Sequence, residues 1–557
     1  APSEASSPRV AHPTAAPTHT VMVKITFLDY GAGNIRSLRN ALTKVGCEIE
    51  DVKSADDIAN ARILVFPGVG SFGACMENLD KLGYTEALRS YVSAGRSFFG
   101  ICLGMQCLFE SSEESPGVKG LGVIPGTVRQ FTDPSISVPH MGWNAIRKQT
   151  DSAVLAPFAS LDHRFYFVHS FRVLPTPENK EWVLSLTDYG SQDAAFVSSV
   201  QKGRVCGCQF HPEKSGDNGL NLLSAFLKQA QEESVPVLNP TPTEGSTVLA
   251  KRIIACLDVR ENDAGDLVVT KGDQYDVREK EGEGDVKNLG KPVELARRYS
   301  DEGADEVTFL NITSFRGEVV DAPMLRVLEM TSEHVFVPLC IGGGIRAYKD
   351  AKGVQHSSLD VAAAYFRSGA DKVSIGSDAV EAAEKYYAAG NKGDGTSSIE
   401  EISRVYGRQA VVISVDPKRV YVNSKDESKH TVVEVPGGKL CWWQCTVKGG
   451  RETRDMDAFE LAKACEALGA GEILLNCIDM DGQNAGFDTA LVKQMKASVR
   501  IPVIASSGAG KPQHFIDVFR ASNPDAGLAA GIFHRREVGI DEVKKAVIEG
   551  GIPCRGV

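Results

Sequence analysis

The chain has 557 residues, of which 42% are hydrophobic and 24% charged, with a formal charge of −11. That length exceeds one ordinary core, so two or more domains are expected. The negative balance argues against a general nucleic-acid surface, and no apolar run approaches the ~18 residues of a membrane span.

Residues 1–21 are mostly Ala, Pro, Ser and Thr. Such a composition cannot bury a core and reads as a disordered tail. Few acidic residues among so many small polar ones resemble the remnant of a plastid transit segment, which would place the protein in the chloroplast stroma. A plain polar tail, with a cytoplasmic protein behind it, is the alternative.

Short apolar strands alternate with helical stretches across 22–234, at Val23–Leu28, Ile63–Phe66, Phe98–Ile101, Phe165–Val168 and Val205–Phe210. This is an α/β pattern with Gly-rich turns at the strand ends, where sites normally sit. One such turn is Gly100-Ile101-Cys102-Leu103-Gly104-Met105-Gln106, a small-x-Cys-x-Gly reversal into a helix. It reads as a nucleophile elbow, with the sulfur standing exposed where the helix dipole favours a thiolate. A buried core thiol is the ordinary role of a cysteine in an apolar run. His211-Pro212-Glu213, after another apolar strand, tips the balance. His211 would take the thiol proton and Glu213 would orient the imidazole. Thirteen cysteines without paired or zinc-like spacing read as reduced thiols, not as a disulfide framework or a metal site.

Residues 235–248 are rich in proline and small polar residues and read as a linker. From 249 to 557 the strands form a regular series: Ile253–Leu257, Glu306–Leu310, Val335–Cys340, Lys372–Ile375, Val411–Val415, Glu472–Asn476, Val503–Ala505 and Gly527–Ala530. Eight strands separated by helical stretches predict a (β/α)8 barrel. Its halves echo each other. The segment Gly303 to Asn311 returns as Gly469 to Asn476, Ile253 to Asp258 as Val411 to Asp416, and Gly342 to Arg346 as Ser506 to Lys511. A barrel of two four-strand halves should present its site twice.

Asp258 and Asp416 end strands one and five, facing each other across the mouth. A helix cap is the ordinary role of one such Asp; two at matching positions favour an acid/base pair. The turns at Gly342–Gly344 and Ser507–Gly510, with Gly376-Ser377 and Ala530-Gly531, offer backbone N–H groups to phosphate, against a reading as plain tight turns. Their duplication suggests a ligand phosphorylated at both ends. Lys271-Gly272, in the long charged loop after strand one, is a candidate lid over that ligand, or simply part of a solvated loop.

Taken together, these motifs resemble imidazole glycerol phosphate synthase of histidine biosynthesis, in its fused fungal and plant form. The glutaminase half is carried by Asp29 to Asn34, Pro67 to Gly70, Gly100 to Gln106, Pro139 to Asn144 and His211 to Lys214. The barrel half is carried by Ala255 to Val259, Asp479 to Gly482 and the echoed glycines. The resemblance implies a class I glutamine amidotransferase domain of flavodoxin-like α/β fold followed by the cyclase barrel. Cys102 would attack glutamine, with the N–H groups of Val69 and Leu103 as oxyanion hole and Gly68, Gly70 and Gln106 binding substrate. Arg252, Glu306, Lys372 and Glu472 match a charged ring where ammonia enters the barrel, and Lys214 and Asp371 match a pair bridging the domains.

It further implies that Asp258 and Asp416 shuttle protons while ammonia attacks a two-phosphate ribonucleotide, phosphoribulosyl-formimino-aminoimidazole carboxamide ribonucleotide. The products would be imidazole glycerol phosphate and aminoimidazole carboxamide ribonucleotide. Gly344, Gly376, Ser377, Asp481, Gly482, Ser507, Gly508, Ala530 and Gly531 would hold that substrate. Neither half would need a metal, an organic cofactor, a nucleic acid, a membrane or a partner subunit. Asn311 stands where relatives often carry Asp, and Ser507 replaces a glycine. Stretches around Gly353–Leu359 and Ala388–Ser398 read as inserted surface loops. Two other readings share parts of the pattern: a glutaminase-like domain fused to a two-phosphate sugar isomerase, and a regulatory protein with a dead glutaminase.

Overall fold

A computed structural model describes residues 22–31, 33–190, 195–232, 239–262, 267–270, 278–280, 283–286, 289–312, 322–350 and 352–557. The expected tail (1–21) and Lys271 lie outside the described residues.

The first domain is built on an eight-stranded sheet. Its order is Cys47–Asp51, Val23–Phe27, Ile63–Phe66, Ser97–Ile101, Val205–Cys208, Phe196–Lys202, Val183–Thr187 and Arg147–Lys148. The first five run parallel and the last three antiparallel. Its central strands are buried along their whole length, as a sheet covered on both faces requires. Ser97–Ile101 and Val205–Cys208 are neighbours, with Ile101 opposite Cys208. Their C-terminal ends therefore deliver Cys102 and His211 to one place, at the end of the sheet where α/β proteins bind ligands.

The second domain is a closed parallel barrel of eight strands. These are Arg252–Glu261, Glu306–Asn311, Leu339–Gly342, Lys372–Ile375, Val411–Val415, Glu472–Asn476, Val503–Ser506 and Ala526–Ala529, the last pairing with the first. Three strands have a boundary that departs from expectation by two residues or more. Strand one does not end at Asp258 but continues to Glu261, because Leu267–Thr270 folds back on it antiparallel, with Thr270 opposite Asp258. Strand three begins at Leu339, after Pro338, which cannot donate to a ladder. In the first domain the strand from Val205 stops at Cys208, so Gln209 and Phe210 lie beyond it.

Strand alternation puts every second residue inside the barrel. Along strand one these are Arg252, Ile254, Cys256 and Asp258, from floor to mouth. Ile254, Cys256, Cys340, Val412, Leu474, Ile504, Ala526 and Leu528 fill the middle as an apolar cluster of their own.

Between strand five and the following helix sits a four-stranded antiparallel sheet, Pro417–Val422, Val433–Val435, Lys439–Val447 and Glu452–Asp457, which the sequence pattern did not reveal. The stretch around Gly353–Leu359 is more ordered than a surface loop: Gln355–His356 pairs with Tyr348–Lys349, and Ser357 caps the helix Ser358–Arg367. The stretch is exposed over 388–396, and Ser397 closes it as a capping box with Glu400.

The 239–250 segment lies along the first domain. Asn239 accepts from the Asp151 N–H, Thr247 exchanges hydrogen bonds with Asp188, and the Ala250 N–H bonds Trp143. Asn34 donates to Asp371 (2.7 Å) and to the Gly369 carbonyl (2.9 Å), and Trp143 Nε1 donates to the Asp305 carbonyl (3.1 Å). The domains thus meet with the Cys102 cleft against the barrel floor.

Candidate functional site

Cys102 adopts φ 50°, a left-handed conformation for a side-chain-bearing residue, at the head of the short helix Leu103–Gln106. Such a strained reversal is what the nucleophile elbow expected from the sequence requires. Contrary to expectation the sulfur is not exposed: Cys102 is 8% accessible, because the barrel floor covers the cleft. One cavity joins Cys102, Gln106, Glu114 and His211 to Asp371, Lys372, Tyr406 and Gln409 of the barrel.

His211 lines the same cavity as Cys102, close enough for the thiol's charge to act on it, and its Nδ1 lies 2.7 Å from Glu213 Oε1. Burial alone would lower this histidine, but the charges of Glu213 and Cys102 outweigh it and hold the imidazole well above its ordinary value. Gly68 passes directly over the nucleophile turn. A β-carbon there would sit 2.3 Å from the Gly104 nitrogen and 2.5 Å from that of Leu103, so only glycine allows this approach. The next residue, Val69, has its carbonyl held by the Tyr30 hydroxyl (3.1 Å). Gln106, buried, donates to the Phe171 carbonyl and to Gln209.

On the barrel floor Arg252, Glu306, Lys372 and Glu472 form a closed ring. Arg252 contacts Glu306 at 3.1 Å and Glu472 at 2.5 Å, while Lys372 contacts both carboxylates at 2.6 Å. None is more than 2% accessible. Burial opposes charge on Arg252 and Lys372, yet the two glutamates hold both firmly protonated. Lys214 reaches Asp371 at 2.6 Å across the domain boundary and donates to Ser37. Removing one member of a buried ring leaves an uncompensated charge, at a cost of about 3–5 kcal/mol. Arg252→Met should therefore lower barrel stability by that amount in urea unfolding; a loss below ~1 kcal/mol would mean the ring is hydrated.

At the other end Asp258 and Asp416 stand at the mouth, both partly accessible. Burial of the carboxyl, aided by the nearby charge of Asp481, pushes Asp258 up to about 7. Burial also raises Asp416, opposed by hydrogen bonds from Asn476 (2.8 Å) and Ser414 (3.3 Å). The glycine turns keep the two-fold echo in their backbones. Gly343 and Gly344 have φ 99° and 74°, and Ser507 and Gly508 have φ 70° and 95°. Gly376 and Ala530, the fourth- and eighth-strand equivalents, both precede helices beginning at Ser377 and Gly531. The Asp481–Gly486 loop packs on the Ser507–Gly510 turn, with the Gly486 N–H bonded to the Gly508 carbonyl. The inserted sheet reaches the same rim: Thr446 donates to the Asp416 carbonyl (2.6 Å), and the Lys448 N–H donates to Ser377 Oγ (2.9 Å).

Asn476 was not singled out from the sequence, although its position as repeat partner of Asn311 pointed to it. Gln209, Glu114 and Tyr406 carried no such signal. Among the described residues one group, His430, Asp457 and Glu460, has metal-like spacing. Its carboxylates are already engaged as helix caps and with His430, so it ties the inserted sheet to the helix Ala458–Leu468.

The family model of class-I glutamine amidotransferases matches residues 26–230, and that of histidine biosynthesis proteins matches 252–539. The chain is 57% identical over 541 residues to the chloroplastic imidazole glycerol phosphate synthase hisHF of Arabidopsis thaliana, covering 95% of this chain and 89% of that one. Identity to the hisHF protein of Schizosaccharomyces pombe is 54% over 534 residues, 94% of this chain and 98% of the relative. Against the HisF subunit of Methanocaldococcus jannaschii it is 41% over 313 residues, 55% of this chain and 99% of the subunit. With both halves and their order matched, the chain belongs to the family of fused imidazole glycerol phosphate synthases, enzymes that carry a glutamine amidotransferase domain and a cyclase barrel on one polypeptide.

Proposed function

We propose that Cys102, His211 and Glu213 release ammonia from glutamine, and that Asp258 and Asp416 use it at the far end of the barrel. The observation that carries this reading is the single axis joining the two sites. The cavity of Cys102 reaches Lys372 of the floor ring, and above the ring the barrel interior up to Asp258 is mainly apolar, with the small hydroxyls of Thr308 and Ser374 on the strand faces that carry Glu306 and Lys372. Such a lumen suits neutral ammonia and resists ammonium, whose charge would be desolvated without a partner.

In the glutaminase, the Cys102 thiolate attacks the carboxamide carbon. His211 carries the proton to the leaving nitrogen, water then hydrolyses the thioester, and glutamate leaves. The N–H groups of Val69 and Leu103 are the proposed oxyanion donors; loss of one such donor typically costs ~3 kcal/mol of transition-state stabilisation. At the mouth the glycine turns after strands three and seven, with Gly376-Ser377 and Ala530-Gly531, hold the two phosphates. Asp258, pushed up to about 7, serves as the proton donor, and Asp416, which burial also raises but whose carboxylate accepts from Asn476 and Ser414, as the acceptor.

Isotope transfer tests the channel. With amide-15N glutamine, the ribonucleotide substrate and excess unlabelled ammonium, the imidazole product should keep most of the label. Dilution of the label to the bulk ratio would overturn the reading. Occupying the barrel should also accelerate glutamine hydrolysis by rearranging the Val69 peptide; equal turnover with and without a barrel ligand would remove that part of the proposal.

A plastid location is supported by the Arabidopsis thaliana relative, whose name includes "chloroplastic", and by the composition of residues 1–20. The fungal relatives' names carry no such word. Imaging the protein as encoded in its native gene, fused to a fluorescent protein, would decide between plastid and cytosol.

A further inference from the structure

Gln209 lies one residue beyond the strand Val205–Cys208, level with Cys102 in the register that pairs Cys208 with Ile101. It is fully buried, and its Nε2 lies 3.4 Å from Cys102 Sγ. Which end of a carboxamide faces the sulfur is fixed here by elimination. The Phe171 carbonyl can only accept, so the Gln106 group 3.2 Å from it is the NH2. That NH2 also faces Gln209 at 2.9 Å, so Gln209 presents its oxygen to Gln106 and its own NH2 to the sulfur.

The far side of the same carbonyl is pinned in the same way. His169 Nδ1 donates to Phe171 O (2.8 Å), so its Nε2 accepts from His140 Nδ1 (3.0 Å), whose Nε2 accepts from Asn144 (3.2 Å). Burial drives His169 down to about 3 and lowers His140 as well, so both rings are neutral and neither tautomer is free to reverse.

We propose that Gln209 is a positioning residue of the glutaminase: held in one orientation by Gln106, its carboxamide donates to the Cys102 sulfur and stabilises the thiolate. A donor aimed at a sulfur favours the charged form, whereas an acceptor there would disfavour it. The arrangement also links glutamine binding to the nucleophile, since Gln106 is the proposed substrate contact and its orientation sets that of Gln209. This inference rests on the glutaminase reading of Cys102.

The test is the pH dependence of Cys102 alkylation by iodoacetamide in the full chain, with the modified residue identified by mass spectrometry. Other ionisable groups that act on the sulfur are His211, Cys208 and Cys107, and the cavity around it is also lined by Glu114, Tyr166, His169, Glu213, Lys214, Asp371, Lys372 and Tyr406; all stay in place. Gln209→Met keeps the volume but loses the donor, so the midpoint should move up by about one pH unit. Gln209→Glu keeps an oxygen toward Gln106 and sets a carboxylate against the sulfur, so it should move further. It also serves as the second variant should the first not fold. Midpoints coinciding with the unsubstituted chain, even with slower glutamine turnover, would show a purely structural role and overturn the proposal. Alkylation is read without turnover, so failure of the glutaminase reading would show separately, as an unsubstituted chain that does not hydrolyse glutamine.

Discussion

Cys102→Ala should abolish synthesis from glutamine while leaving synthesis from ammonium salts close to that of the unsubstituted chain. The expected loss is at least ~10⁴-fold, the scale seen when a nucleophile is removed from a triad that acts as a unit. The structure gives reasons for the asymmetry. The thiol is separated from Asp258 by the whole barrel, and its backbone neighbours are set by the two central strands, not by its side chain. Replacing a sulfur with hydrogen leaves the Cys102 N–H bonded to the Cys208 carbonyl at 2.7 Å and the turn intact. Product formation with glutamine and then with ammonium at pH 8.5 decides the matter. Normal glutamine use by the variant would mean the triad has been misassigned.

Asp258→Asn should behave oppositely, losing synthesis from both nitrogen sources by about 10²–10⁴-fold while glutamine hydrolysis persists. A second signature follows from the carboxyl being pushed up to about 7 by burial. In the unfolded chain an Asp titrates near ~3.9. Between those values the folded state holds a proton that the unfolded state has lost, so this group makes stability fall as pH rises from about 4 to 7. Asparagine is neutral at every pH and escapes that cost. The inactive variant should therefore unfold at higher urea than the unsubstituted chain at pH 8, with the gain shrinking towards pH 4. Equal urea midpoints at both pH values would show that the carboxyl is not strained by its site.

The sequence was most legible where two constraints coincide. The Cys102 elbow is a local rule of glycine spacing, and the barrel strands follow a period-2 apolar pattern reinforced by the internal repeat. Asp258 and Asp416 could be paired before any coordinates because the repeat set them at equivalent positions. What escaped depended on contacts between distant segments. Cys102 reads as exposed until the barrel floor is laid over it, since nothing near residue 102 encodes that cover. The fold-back of Leu267–Thr270 past Asp258 is hidden in a charged loop. The inserted sheet lacks a clean alternation, since Cys441, Trp442 and Trp443 are buried in a row, and its strands fall where a helix was due. Gln209 sits in an apolar strand end as an ordinary polar interruption; only the neighbouring strand gives it a sulfur to face.

The docked 239–250 segment changes what damage at the domain boundary can do. Two separate subunits whose interface loses the Lys214–Asp371 pair would part, and activity would depend on their concentration. Here the segment holds the halves at an effective concentration on the order of millimolar. Boundary substitutions should thus show up as leakage, with glutamine spent and ammonia lost to solvent, in a protein that remains one particle at any dilution.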